Sequence, residues 1–416
     1  LADVPIPAPV RARNQSRFGW SPLTESALVA TIAGLILLGL SRFDMTIYNN
    51  YVVLADAFLH GHVWIDWPGG RIDALNYNGA YYIIEGPIPA IILLPFVAIF
   101  GQHTNQTSFT CVFGAIALGA AWHLARMQLP QRRDNAALLV AFFAFGTDLA
   151  WCCIYGAVWF TAHVVADAFV FLALVEVFGR KRPWLILYLL LMAAGSRFAL
   201  VLAAPPLVLY ALSYVPRQKL VRALGYCAAV LIPFAVAYVA YNYARWGVPN
   251  DIGYTQWYHG DQIGEPTGSP FRFEYIPYEL ESFFLDFPNY IGRYPWIVIG
   301  YSSVPLTLTS PALVVAFFAG GNRRLIAALA AAAFLCFVPN VMYYANGGSQ
   351  FGMRHALDFE PFLFALMVMA VATKRVPQLL VDILCGISIV VGIWGIWFWR
   401  TFYDKMLNHL IPGVNS

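Results

Sequence analysis

Charge is what this sequence has least of. Asp, Glu, Lys and Arg make up 11% of its 416 residues, where soluble globular chains carry about a quarter. With 60% of the residues hydrophobic, too little polar surface exists to cover a water-soluble fold, which leaves a polytopic membrane protein. Neither sign of charge dominates: 25 Lys and Arg stand against 22 Asp and Glu, so nothing favours a nucleic-acid partner. The six cysteines (Cys111, Cys152, Cys153, Cys227, Cys336 and Cys385) lie in or beside apolar runs without a CxxC pair. That excludes a CxxC metal or redox motif and makes them small core residues. Internal repeats, low-complexity tracts and a soluble domain are also missing.

What is present is a succession of apolar segments of about 16–25 residues, the length of helices crossing a core of about 30 Å, without the alternation of barrel strands. The fold class is therefore all-α. Basic residues cluster at 126–133, 180–182, 217–222, 323–324 and 374–375, and the positive-inside rule makes each cluster cytoplasmic. Between clusters the apolar segments come in pairs: 135–151 with 158–178, 184–194 with 198–214, 223–243 with 296–318, and 325–342 with 356–373.

The amino-terminal third has three such segments, 27–40, 83–100 and 107–125, and an odd number cannot join two cytoplasmic ends. The weakest is 83–100, interrupted by Glu85, Pro87, Pro89 and Pro95; its unbroken part is about 13 residues, or about 20 Å. It is predicted to lie along the outer surface or re-enter, with residues 48–60 forming a second, amphipathic surface helix.

About eleven spans follow, in a single transmembrane domain over residues 23–403. Residues 1–22, which carry Arg11, Arg13 and Arg17, form a cytoplasmic tail before an uncleaved first span. The loops 44–106, 245–295 and 344–355 and a short tail, 404–416, are extracytoplasmic.

Acidic groups just outside a membrane are costly and suggest a site. Asp44 stands about one turn beyond the first span, where partial desolvation suits a general base; the plain alternative is a boundary charge paired with Arg42. Asp56, Asp66 and Asp73 are weaker candidates of the same loop. Glu85 precedes Gly86-Pro87-Ile88-Pro89, a stiff extended segment that would hold its carboxylate toward a metal or an acceptor hydroxyl; otherwise it snorkels. His163 and Asp167 share one face of a span, as site residues or as a packing hydrogen bond. Arg197 and Arg354 lie at outer turns against the positive-inside trend, which suits forked binding of a phosphate as well as snorkelling. The 245–295 loop mixes aromatic residues and His259 with carboxylates, a pattern that fits a sugar or an interfacial belt.

An Asp after the first span, then a Tyr/Ala/Leu/Gly surface helix, then a Glu before Gly-Pro-Ile-Pro and another surface helix resembles the GT-C glycosyltransferases. Ile84-Glu85-Gly86-Pro87-Ile88 is similar to the Glu-Lys-Pro segment of the lipid A aminoarabinose transferases and to the His-Pro-Pro segment of protein O-mannosyltransferases. Tyr77-Asn78-Gly79-Ala80-Tyr81-Tyr82 and Gln350-Phe351-Gly352-Met353-Arg354 are closer still to uncharacterised bacterial members.

The resemblance implies a bacterial cytoplasmic-membrane enzyme that works on the outer face. It would move a sugar from a polyprenyl-phosphate donor to an envelope lipid, glycan or protein by inverting displacement. It implies Asp44 as catalytic aspartate, Glu85 as second catalytic group or metal ligand, and Arg197 and Arg354 as donor-phosphate cations. Tyr82, His163, Asp56 and His259 are expected, from their own positions, as further substrate contacts. No cofactor is expected to be required, and Glu85 is the residue expected to hold a divalent metal where one binds. Two positions depart from the relatives: Gly86 replaces the lysine beside the glutamate, and Met45 replaces the acidic residue that often follows the aspartate. The soluble carboxyl-terminal domain of many relatives is expected to have no counterpart. The alternative function is a transporter or flippase of a lipid-linked glycan, which would show repeats and charges along a path through the membrane.

Overall fold

The computed structural model describes residues 21–66, 74–261, 263–300, 303–348 and 350–403. Most of the expected amino-terminal tail, Asp73 and the 404–416 tail lie outside them.

Helix α1 (Pro22–Ser41) starts at Ser21, whose side chain accepts from the Thr24 N–H, with Pro22 in the first turn where its missing N–H costs nothing. It ends at Arg42 and Phe43, both left-handed with φ of 56° and 58°, and this turn carries Asp44 away from the helix axis. Helix α2 (Asn50–Leu59), read as an amphipathic helix along the membrane surface, packs Tyr51, Val52, Leu54 and Ala55 into the protein, where they are fully buried. The cause is Gln106: its Oε1 accepts from the Tyr51 N–H at 3.0 Å while its Nε2 donates to the Tyr48 and Gly156 carbonyls at 3.1 and 2.7 Å. That amide draws α2 into the protein.

Strands β1 (Leu75–Tyr77) and β2 (Ala80–Tyr82) pair antiparallel through Asn78-Gly79, both at positive φ, a two-residue hairpin turn. The hairpin delivers Glu85 to the start of α3 (Ile88–Phe100), the short helix that was read as not crossing.

Helix α4 (Gln106–Gln128) follows, and then α5 (Arg133–Phe145) and α6 (Leu149–Tyr155), bent by 50° where an unbroken 135–151 run was expected. Helix α7 (Val158–Phe178) has the bounds read from the sequence and is the most buried span. Helix α8 (Pro183–Ala194) breaks at Gly195-Ser196-Arg197, and the chain resumes as a 3-10 turn and α9 (Ala204–Leu212). Helix α10 (Arg217–Trp246) has 30 residues, about 45 Å, and leads to α11 (Tyr254–Gly260) and α12 (Ile276–Phe284).

The 296–318 segment is not one helix. It contains β4 (Ile297–Val298), paired with β3 (Asn289–Tyr290), then α13 (Leu306–Thr309) and a 3-10 helix, Pro311–Phe318. Pro305 and Pro311 lack the N–H that a continuous helix would need. Helices α14 (Arg323–Val341), α15 (Glu360–Ala372) and α16 (Gln378–Phe398) complete the chain.

Six helices (α1, α4, α7, α10, α14 and α16) are long and apolar enough to cross a membrane, and the bent α5–α6 pair makes a seventh. Shorter apolar helices, α2, α3, α8, 198–212 and α15, complete the polytopic helical fold among the described residues. The turns bearing the basic clusters all fall at one end of the bundle. The hairpin, α11, α12 and the breaks after α1, α8 and α14 fall at the other.

At that second end Glu279 of α12 is fully buried, with no hydrogen-bond partner on either oxygen among the described residues, and burial pushes its carboxyl up to about 8. A carboxyl raised above its unfolded value of 4.5 stabilises the fold below that value, and the contribution is lost as pH rises through about 8. Glu279→Gln should therefore raise Tm over wild type by roughly 2–4 °C at about pH 8.5, with the gap closing toward about pH 5. Parallel thermal scans check this, and equal Tm at both values would contradict it.

Candidate active site

A cavity of about 1090 Å³ opens at the end away from the basic turns. It is lined by the turn after α1, the segment before α3, the break after α8, α11, the chain following α14, and the end of α16.

Asp44 lines this cavity and is exposed, where partial desolvation was expected. Its N–H donates to the Ser41 carbonyl at 3.0 Å, and the Asn105 side chain donates to the Phe43 carbonyl at 2.8 Å. Backbone contacts thus hold the turn, and Asp44 makes no ion pair with Arg42 among the described residues.

Glu85 lines the same cavity but is buried. The Ile88 N–H donates to the Gly195 carbonyl at 3.1 Å, and Arg245 of α10 donates to the Ile83 carbonyl at 3.0 Å. At Gly86 a Cβ would stand 2.2 Å from the Gly195 oxygen and 3.0 Å from that of Ser196, so no side chain fits while these backbones touch. This contact brings Glu85 beside the loop that carries Arg197. It also explains the departure from the lysine of the resembling families.

Arg197 lines the cavity and forks onto Asp358, with Nε 3.2 Å from Oδ1 and Nη2 2.9 Å from Oδ2. Its Nη1 donates to the Tyr254 hydroxyl at 3.4 Å. Burial pushes the Tyr254 phenol above its usual range, with Arg197 opposing and Glu85 adding to the rise.

Arg354, also lining the cavity, donates from Nη1 to the Gly347 carbonyl at 2.9 Å and to Gln350 Oε1 at 2.5 Å. It lies over the Phe160 and Trp159 rings at 5.7 and 6.0 Å. Burial lowers its guanidinium to about 10, which leaves it a cation at neutral pH. The guanidinium presses on Gly347, where φ is +102° and a Cβ would come within 2.6–2.7 Å of three of its atoms. Gly347→Ala should displace this flexible tip without unfolding the protein. Donor turnover should then fall about tenfold or more, with Tm lowered by the strain of a side chain at positive φ, and unchanged turnover would contradict the placement.

The other four site candidates do not line the cavity. Tyr82 is buried against Tyr77 and Trp246, with ring centroids 6.4 and 5.1 Å away. Asp56 sits beside His60 at 3.9 Å, and His259 Nε2 lies 3.2 Å from the Gly268 carbonyl. His163 is buried in α7, where its Nδ1 faces Asp358 Oδ1 at 2.9 Å in place of the Asp167 contact considered above.

Sequence reasoning missed Asp358 and Asn340, while Asp261 was among the carboxylates read in the 245–295 loop; Asp358 adjoins an apolar run that starts at Phe359, and its charge was the available signal. The Tyr344 hydroxyl donates to Asp261, and both line the cavity with Trp257 and Tyr343. Aromatic faces and polar groups together suit a sugar. Among the described residues no three His, Cys, Asp or Glu side chains converge to hold a metal. Among the described residues no such group forms around Glu85, so they do not fit the divalent ion.

The backbone matches the crystal structure of ArnT from Cupriavidus metallidurans bound to undecaprenyl phosphate, with a TM-score of 0.50 and 16% sequence identity over 87% of this chain. The chain has a GT-C fold. It spans 61% of the length of ArnT. No protein-family model matches the sequence, nor does any curated protein. Within the GT-C fold, Asp44, Glu85, Arg197 and Arg354 are the sequence-read site residues that share the cavity.

Proposed function

We propose that the protein is a membrane glycosyltransferase that takes a sugar from a polyprenyl-phosphate carrier and passes it to an envelope lipid, glycan or protein. The observation that carries this reading is one cavity, in a GT-C fold, lined by an exposed carboxylate, Asp44, that makes no ion pair among the described residues, and by two arginines, Arg197 and Arg354. The neighbouring ArnT structure holds undecaprenyl phosphate, the kind of carrier two arginines would receive. Under the positive-inside reading the cavity faces outward from the cytoplasmic membrane.

In the proposed reaction, Asp44 takes the proton of the acceptor hydroxyl while that oxygen attacks the anomeric carbon from the face opposite the phosphate. The bond from the anomeric carbon to the phosphate oxygen breaks, its electron pair leaving with the phosphate through an oxocarbenium-like transition state. The arginines stabilise the departing phosphate, and because both side chains are largely shielded from solvent such contacts are worth several kcal/mol. The flippase alternative needs a path between the two ends of the bundle, whereas this cavity lies at one end.

A strain lacking the gene should accumulate a polyprenyl-phosphate sugar and make an under-glycosylated envelope product, and lipid extraction with mass spectrometry reads both. An unchanged carrier-lipid pool would contradict the reading.

A further inference from the structure

Asp358 plays no part in the mechanism above, yet it is wrapped in donors just behind the cavity wall. Its Oδ1 accepts from Arg197 Nε at 3.2 Å and faces His163 Nδ1 at 2.9 Å. Its Oδ2 accepts from Arg197 Nη2 at 2.9 Å and from Asn340 Nδ2 at 3.0 Å. The residue is 1% exposed and does not line the cavity, whereas Arg197 and Asn340 do. A bidentate fork of this kind fixes the rotation of the guanidinium plane. It commits Nε and Nη2, leaving Nη1 with Tyr254, itself a cavity residue.

The fork also changes the electrostatics. A buried carboxylate at hydrogen-bond distance cancels most of the Arg197 charge at longer range. Among the described residues Arg354 pairs with no carboxylate, and its acceptors, the Gly347 carbonyl and Gln350 Oε1, are neutral. The two arginines that look equivalent in the sequence are therefore unequal in the fold.

We infer that Asp358 is a positioning residue: it locks Arg197 with one edge toward the donor phosphate and cancels its net charge, leaving Arg354 as the cation that holds the phosphate. This rests on the donor-site reading above. The division has a use, because two fully charged arginines would hold the product phosphate tightly and slow its release, while one neutralised fork still orients it.

The test is a double-mutant cycle of Arg197→Gln, Asp358→Asn and the double variant on the full chain, read in two ways. In ligand-free thermal scans each single variant strands a buried partner, and the double variant loses less than the sum of the two. Additive losses would overturn the clamp. Native mass spectrometry with undecaprenyl phosphate supplies the second reading. Asp358→Asn should bind roughly three- to tenfold tighter, because the Arg197 charge is released, and the gain should vanish in the double variant. Unchanged or weaker binding by Asp358→Asn would overturn the inference, and so would a gain that persists without Arg197. Failure of the wild-type protein to bind the lipid, with the thermal coupling intact, would instead overturn the donor-site reading and the positioning role with it. Arg197 and Asp358 would then remain only a structural pair.

Discussion

Purified Asp44→Asn protein should transfer sugar about 10²–10⁴ times more slowly than wild type, the range of a lost general base, while keeping its Tm and its affinity for undecaprenyl phosphate. Asn matches the shape of the carboxylate but cannot take the acceptor proton. The substitution should leave the fold alone because Asp44 is exposed and makes no ion pair among the described residues. Its turn is held by backbone groups, Asp44 N–H to Ser41 and Asn105 to the Phe43 carbonyl. Donor affinity should survive because the phosphate contacts are assigned to Arg197 and Arg354. Initial rates beside a thermal scan separate the effects: a wild-type rate would end the case for Asp44, and a fall in Tm would make it structural.

The second large effect is expected at Gly86, where restoring the lysine of the resembling transferases should abolish transfer. A Cβ there meets backbone atoms, the Gly195 oxygen at 2.2 Å and the Gly195 carbonyl carbon at 2.7 Å, and backbone cannot rotate aside as a side-chain tip can. The two segments would have to part, breaking the hydrogen bond from Ile88 to Gly195 and moving Glu85 away from the Arg197 loop. Overpacking of this kind costs about 1–3 kcal/mol, so Gly86→Lys should lower Tm as well as remove activity. Gly86→Ala should act in the same direction, because the first carbon does the damage. An active Gly86→Lys enzyme would show that the loops can separate without harm.

Periodicity and charge carried the sequence reading furthest where the helix and its environment agree. Helix α7 has the read bounds because a predominantly apolar run without Pro or Gly sits between Ala157 and Gly179. Helix α3 was legible because Pro87, Pro89 and Pro95 cut its apolar run below the span of a bilayer. The 296–318 segment misled because hydropathy does not register the missing N–H groups of Pro305 and Pro311. Burial of α2 was invisible because one residue far along the chain, Gln106, imposes it.

The site followed the same logic. Asp44, Glu85, Arg197 and Arg354 sit at breaks between helices, and breaks at one end of a bundle converge on one cavity. His163 was read with Asp167 because helical spacing reports only neighbours on the same helix. Its actual neighbour, Asp358, comes from a distant part of the chain. Tyr82 and His259 lie close in sequence to cavity residues, but the hairpin and α11 turn them elsewhere.

The central claim is that this cavity receives a phosphate-linked carrier between Arg197 and Arg354. A cryo-electron microscopy structure of the protein with undecaprenyl phosphate tests it most directly. The account predicts phosphate density within hydrogen-bond reach of both guanidinium groups, on the side of the cavity facing Asp44. Density for the phosphate at the basic end of the bundle, or outside the cavity, would contradict it.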